Sequence, residues 1–197
     1  ALDCGVDYIA VAFLDEGLEL RRAGITAPIL VLGYTPPEGL QTAWEHHITL
    51  NVYTNELLDA WERLGISDDD SGNAPLSIHI KIDSGMNRIG IADEREAIGF
   101  IERALRTPGI RVEGLFTHYA CADEKDKTHT NGQYERFARV VNHFRGKGVD
   151  FPLIHAGNSA AAIDLPELTF NMVRLGIGMY GLYPSEEVNK QQIELQP

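Results

Sequence analysis

A chain of 197 residues is long enough to bury a sizeable core, and its apolar share of 44% is ordinary for a globular protein. The formal net charge of −12 argues against nucleic-acid backbones and anionic membranes as general partners, because the field of the whole molecule repels both. Cys4 and Cys121 form neither a metal-ligand spacing nor a disulfide framework, which fits a reducing cytoplasm, and no long apolar run or signal peptide marks the chain as membrane-spanning or secreted.

The opening string ALDCGVDYIAVAF has no initiator methionine and reads as a helix end, a Gly turn and a strand, so further residues are expected before Ala1. In chain order the expected strands are 7–13, 28–33, 47–53, 76–83, 111–119, 151–158 and 171–181. Helical patterns lie between them. LDEGLELRRAG has acids in its first turn, arginines in its last and a closing Gly, which suits the helix dipole and a C-terminal cap. TNELLDAWERLG starts at Thr54 as the N-cap and sets Leu57, Leu58, Trp61 and Leu64 at helical spacing. DEREAIGFIERALR and NGQYERFARVVNHFRGKG carry the same signals, His46 and His47 read as surface residues at a helix end, and Met86 and Asn87 as turn residues.

Strand then helix, repeated, implies an α/β fold with a parallel sheet and right-handed crossovers. Seven strands fall one short of a (β/α)8 TIM-type barrel, so the expected fold is that barrel with its first strand missing from this chain. The rival is an open doubly wound sheet, whose dinucleotide-binding version lacks support because no GxGxxG turn follows a strand here.

The string HIKIDSGMNRIGI sets Leu76, Ile78, Ile80 and Ile82 on one face of a strand and Ser77, His79, Lys81 and Asp83 on the other. On a sheet surface the second face would simply be wet. In a barrel the isoleucines pack under helices and Lys81 points inward, where an ammonium is costly unless paired or altered. Lys81, Asp83 and Arg88 lie near the C-terminal end of the strand, where such barrels place their active sites.

Three further strand ends are polar: His118 in LFTHYACAD, Asn158 and Ser159 in HAGNSAA, and Arg174 in NMVRLGIGMYG. Alternation puts Arg174, Gly176, Gly178 and Tyr180 on one face, with room for something flat or a close backbone approach. Ser159 at a helix start could hold a phosphate. Each has a plainer reading: His118 as a satisfied core histidine, Asn158 and Ser159 as a helix cap, the glycines as packing positions. Arg174 is harder to dismiss, since a guanidinium amid apolar residues needs an anion or a strong acceptor.

The strings VAFLDE, APILVLG, HIKIDSGMNRIGI, FTHYACADEKD, HAGNSAA and FNMVRLGIGMYGL, in this order, resemble bacterial alanine racemase, a pyridoxal-phosphate enzyme with an N-terminal α/β barrel. The resemblance covers nearly the whole chain. It implies a barrel domain over 1–185 and the start of a linker toward a C-terminal β-domain over 186–197. It implies that Arg174 bonds the pyridine nitrogen, that His118 stacks near the ring, and that Ser159, with the backbone N–H groups of Gly176 and Ile177, cradles the phosphate, Tyr180 lying just beyond. Asn158 and Leu32 are implied as further cofactor contacts, and Arg88 as a group beside cofactor and substrate carboxylate. Lys81 matches a lysine that is carbamylated in many members, an anion that pairs with Arg88.

The family's cofactor lysine, in a motif like VVKANAYGHG, does not occur in these residues, nor does the C-terminal domain whose tyrosine the partner subunit contributes. The chain alone is therefore expected to be inactive. The full-length protein is expected to be a cytoplasmic homodimer interconverting L-alanine and D-alanine for peptidoglycan, with no metal. A non-enzymatic pyridoxal-phosphate-binding barrel or scaffold, and a serine-racemising relative, are the alternatives.

Overall fold

A computed structural model describes residues 2–66, 74–191 and 193–196. In chain order the elements are β1 (Ile9–Val11), α1 (Leu14–Arg22), β2 (Ile29–Val31), α2 (Leu40–Glu45), β3 (Thr49–Val52), α3 (Asn55–Leu64), β4 (Leu76–Lys81), α4 (Glu94–Ala104), β5 (Ile110–Phe116), α5 (Thr128–Arg145), β6 (Leu153–Gly157), α6 (Ser159–Asp164) and β7 (Met172–Val173). The chain divides into two compact units, one comprising Ala1–Ile80 with Ile98–Glu113, the other Lys81–Ala97 with Gly114–Pro197.

In the first unit β1, β2, β3 and β4 pair in parallel, with Ile9 opposite Ile29, Leu30 opposite Thr49 and Leu50 opposite Ile78. Leu76 N donates to Gly109 O at 2.9 Å, bringing the start of β5 alongside β4. Ile29, Leu30 and Val31 are fully buried, as a parallel strand covered on both faces requires. Leu57, Leu58 and Trp61 of α3 are buried as their spacing predicts, whereas Leu64, in the last turn, is 41% exposed. Trp61 Nε1 donates to Pro108 O at 3.0 Å and its ring meets that of Trp44 edge to face. Gly65, at φ 68°, closes α3 in the left-handed region that favours glycine.

Both faces of β4 are covered. Ile78 and Ile80 are fully buried, and so is His79 on the opposite side. His79 Nε2 lies 3.4 Å from Glu113 Oε2, which also accepts the Tyr8 hydroxyl at 2.5 Å. Burial and this carboxylate push the Tyr8 phenol up to about 12. The polar face of β4 is thus interior, not a wetted surface.

In the second unit Ile82 N donates to Phe116 O, and β5, β6 and β7 pair in parallel through Phe116 with His155 and Gly157 with Val173. Its core includes Phe137, Val140, Val141 and Phe144 of α5, with Ile154 and Ala156 of β6. α5 starts at Thr128, three residues before the expected start.

Two sequence expectations fail. Thr54 stands in the N-cap position, but its hydroxyl caps nothing and its Oγ1 has no hydrogen-bond partner among the described residues. The last strand is short: β7 ends at Val173, Gly176 takes φ −110° and ψ −100°, and Ile177–Tyr180 form a 3-10 turn. Arg174, Gly176, Gly178 and Tyr180 therefore do not share one alternating face. The cause is Ser159 Oγ, which accepts from both Gly176 N and Gly178 N, at 3.0 and 3.1 Å. In an extended chain two residues span about 6.6 Å, too far for two such bonds to converge on one oxygen.

Cys4 and Cys121 are free thiols, and no helix among the described residues is long and apolar enough to cross a membrane.

Candidate active site

The second unit gathers most of the predicted site residues at the ends of its strands. Lys81 closes β4, and the chain then turns sharply. Asp83 Oδ1 accepts from the backbone N–H groups of Gly85, Met86 and Asn87 at 3.0, 2.9 and 3.0 Å. Asn87, at φ 57°, tolerates the left-handed conformation better than most residues, and Ile91 returns to bridge Ile82. Met86 and Asn87 are turn residues as expected, and the turn presents Arg88 to solvent. Burial pulls the Asp83 carboxyl up, but the three N–H groups and Lys81 outweigh it and hold it below its usual range.

Lys81 is 2% exposed, and its Nζ has no hydrogen-bond partner among the described residues. Its Nζ lies over the Phe116 ring, 5.0 Å from the centroid. Burial lowers its pKa to about 7, the charges of Arg174 and Arg88 push the same way, and Asp83 opposes them. The lowered pKa brings the free amine within reach near neutral pH.

Arg174 follows β7 and reaches back across β5 and β6. Its Nη1 donates to His155 Nδ1 at 2.5 Å, and its Nη2 to His118 Nδ1 at 3.0 Å, Thr117 O at 2.9 Å and Ala156 O at 3.1 Å. These acceptors are uncharged, so the predicted need for a strong acceptor is met without a carboxylate. Desolvation brings the guanidinium down to about 10, still a cation at neutral pH. A ring nitrogen facing such a donor must carry no proton, so both imidazoles are neutral at Nδ1. Burial, then the charges of Arg174, Lys81 and Arg88, push His118 down to about 3. His118 is a half-buried ring held by a cation, not simply a core histidine.

Asn158 is the N-cap of α6: its Oδ1 accepts from Ala161 N at 3.0 Å and its Nδ2 donates to Tyr119 O at 3.3 Å. Both polar ends of Asn158 are used within the protein, which matches the plainer reading for that residue. Ser159 is buried and holds the Gly176–Gly178 segment through its hydroxyl. A Cβ on Gly178 would meet Ser159 at 3.3 Å, whereas one on Gly176 would meet nothing within 4 Å, so the cradle is open at Gly176. Ile177 begins the 3-10 turn and is 45% exposed. Leu32 belongs to the first unit, where it follows β2 and its carbonyl accepts Asn51 Nδ2 at 2.7 Å.

Sequence reasoning passed over His155, Thr117 and Gln133. His155 stacks on Phe116, ring centroids 4.7 Å apart and 7° from parallel, while it accepts from Arg174. The signal was available, because His155 interrupts an apolar strand that pairs with the strand leading to Arg174.

The alanine racemase N-terminal domain family model matches residues 1–184. The chain is 49% identical over 195 residues to alanine racemase 2 of Oceanobacillus iheyensis, an alignment that covers 99% of this chain and 48% of that protein. Among solved structures, alanine racemase of Clostridium difficile 630 in complex with cycloserine superposes with a TM-score of 0.90 at 40% identity, over 100% of this chain and 53% of that one. A histidine racemase of Leuconostoc mesenteroides gives 0.88 at 30% identity, over 100% and 51%. The chain spans about half the length of the curated relatives it matches. The parallel strands in chain order and these likenesses bear out the expected partial (β/α)8 class. By family match, sequence identity and structural likeness, this chain belongs to the alanine racemase N-terminal domain family.

Proposed function

We propose that this chain is the cofactor-binding part of an alanine racemase, with a barrel domain over 1–185 and the start of a linker over 186–197. The observation that carries the reading is Arg174, a cation set among neutral acceptors at strand ends, beside the Ser159 cradle. The residues present fit pyridoxal phosphate: an open segment at Gly176, a buried hydroxyl that orders it, and a guanidinium flanked by a neutral imidazole. Ser159 with the N–H groups of Gly176 and Ile177 would take the phosphate, and Asn158 would hold the start of α6 beside it. Arg174 would donate to the ring nitrogen and keep it unprotonated, and His118 would lie against the ring. When bound, the cofactor supplies an electron sink that acidifies the α-proton of an amino acid.

Arg88, exposed on its turn, would receive the substrate carboxylate. Lys81 would react as the free amine with carbon dioxide, forming an N–C bond and releasing one proton, and the resulting carbamate anion would pair with Arg88. The support is a buried amine without a hydrogen-bond partner among the described residues, with a pKa near neutrality and two guanidinium charges acting on it. On this reading the complete protein is a cytoplasmic homodimer that supplies D-alanine for peptidoglycan.

A different amino-acid substrate, serine included, is the second reading, favoured by the likeness to a histidine racemase. The full-length natural protein, given pyridoxal phosphate and L-alanine, L-serine or L-histidine in turn, should form D-alanine fastest by chiral chromatography. Faster D-serine or D-histidine formation would establish the second reading, and no D-product from any of them would leave a binding module.

A further inference from the structure

Gln133 lies in α5 and is completely buried, and its amide is engaged at both ends. Oε1 accepts from Ala120 N at 2.8 Å, and Nε2 donates to His118 O at 3.0 Å with Ser84 Oγ at 3.5 Å. Ser84 Oγ in turn shares a hydrogen bond with Thr117 Oγ1 at 2.7 Å. β5 ends at Phe116, and Thr117 N makes the last bond to the neighbouring strand, to His155 O at 3.0 Å. Beyond that point the chain has left the ladder. The Gln133 amide takes its place, bracketing His118 by the carbonyl of that residue and the N–H two residues later.

The same helix face reaches the turn that carries Arg88. Arg136 Nε donates to Ser84 O at 2.6 Å, and a His129 ring nitrogen lies 3.2 Å from Gly85 O. Residues 129, 133 and 136 sit on one stripe by helical spacing. A buried amide satisfied at both ends is rigid, because displacing it leaves several polar groups unpaired in a low-dielectric interior.

We propose that Gln133 is a positioning residue that fixes the His118 ring against Arg174. Its consequence for the cofactor rests on the function proposed above, whereas its effect on His118 does not. Gln133→Met keeps the length of the side chain and removes both polar ends, leaving His118 O and Ala120 N without their partner. The ring is then free to swing out of its buried position against Arg174, and both burial, the larger cause, and the charges of Arg174, Lys81 and Arg88 that depress its protonation are weakened.

The test uses the full-length natural protein. Labelled-histidine NMR follows the titration of His118 without cofactor, a fluorescence titration gives the affinity for pyridoxal phosphate, and a thermal melt gives Tm. Gln133→Met should move the His118 midpoint upward by roughly one unit or more and weaken the cofactor about tenfold. Phe137→Leu, a fully buried apolar change one turn along, should lower Tm and move neither. Should Gln133→Met not fold, Gln133→Leu, which also removes both polar ends and adds no charge, reads the same quantities. A variant that lowers Tm but leaves the His118 midpoint unchanged overturns the proposal. If the wild type itself binds no pyridoxal phosphate, the proposed function fails, and the His118 titration still decides the role of Gln133.

Discussion

Arg174 Nη2 lies 3.0 Å from His118 Nδ1, a cation held against a nitrogen that accepts only while the imidazole is neutral. Between the His118 midpoint of about 3 in the folded protein and 6.5 in the unfolded chain, the unfolded state binds more protons. Stability therefore rises with pH across that window and falls on acidification through it. His118→Gln keeps an acceptor for Arg174 and removes the titration. Urea unfolding at a series of pH values should show a shallower acid dependence in this variant, by at most about 1.4 kcal/mol per pH unit, the limit for one proton. Superimposable profiles would show that His118 is not held neutral.

Lys81 is expected to yield a carbamate resonance in carbon NMR when the protein is kept in labelled bicarbonate, and Lys81→Met to lose it. The reactive form is the free amine, so the signal should grow as pH rises through about 7, the folded value of this lysine. A protein whose spectrum matches that of Lys81→Met at every pH would carry an unmodified amine.

The Asp83 turn makes a third prediction. One carboxylate oxygen holds three backbone N–H groups, so Asp83→Ala should cost about 1.5–3 kcal/mol by urea unfolding. Asp83→Asn keeps an acceptor and should cost less. Equal losses would mean that charge, not the hydrogen-bond geometry, holds the turn.

Gly157, the last residue of β6, tests packing at the strand end. A Cβ there would stand 2.7 Å from Thr169 Cγ2, so Gly157→Ala should destabilise by about 1–3 kcal/mol through overpacking. Thr169→Ser removes that methyl, and the double variant should recover part of the loss. An additive double variant would place the strain elsewhere.

Much of this was legible in the sequence because apolar periodicity reports burial directly. The runs at 28–33 and 76–83 read as strands, and strands form there over Ile29–Val31 and Leu76–Lys81, both largely buried. The stretch after β7 was misread because its conformation is set by Ser159, seventeen residues earlier, through bonds that no local pattern records. Thr54 failed as a cap for the opposite reason: residue type marked the position correctly, but the hydroxyl makes no cap hydrogen bond. Lys81 and Arg174 were legible as misfits, charges amid apolar residues. Of the groups around Arg174, His155 left a trace as the interruption of an apolar strand, whereas Thr117, and Gln133 behind His118, become informative only once β5, β6 and α5 are brought together.

Whether this fold holds pyridoxal phosphate is decided most directly by an equilibrium titration of pyridoxal phosphate into the full-length natural protein and its Ser159→Ala variant, followed by absorbance. Binding should be saturable, and weakened about tenfold in Ser159→Ala by loss of the hydroxyl that orders Gly176 and Gly178. Absence of saturable binding by the wild type, or equal affinity in the variant, would contradict the proposed cofactor site.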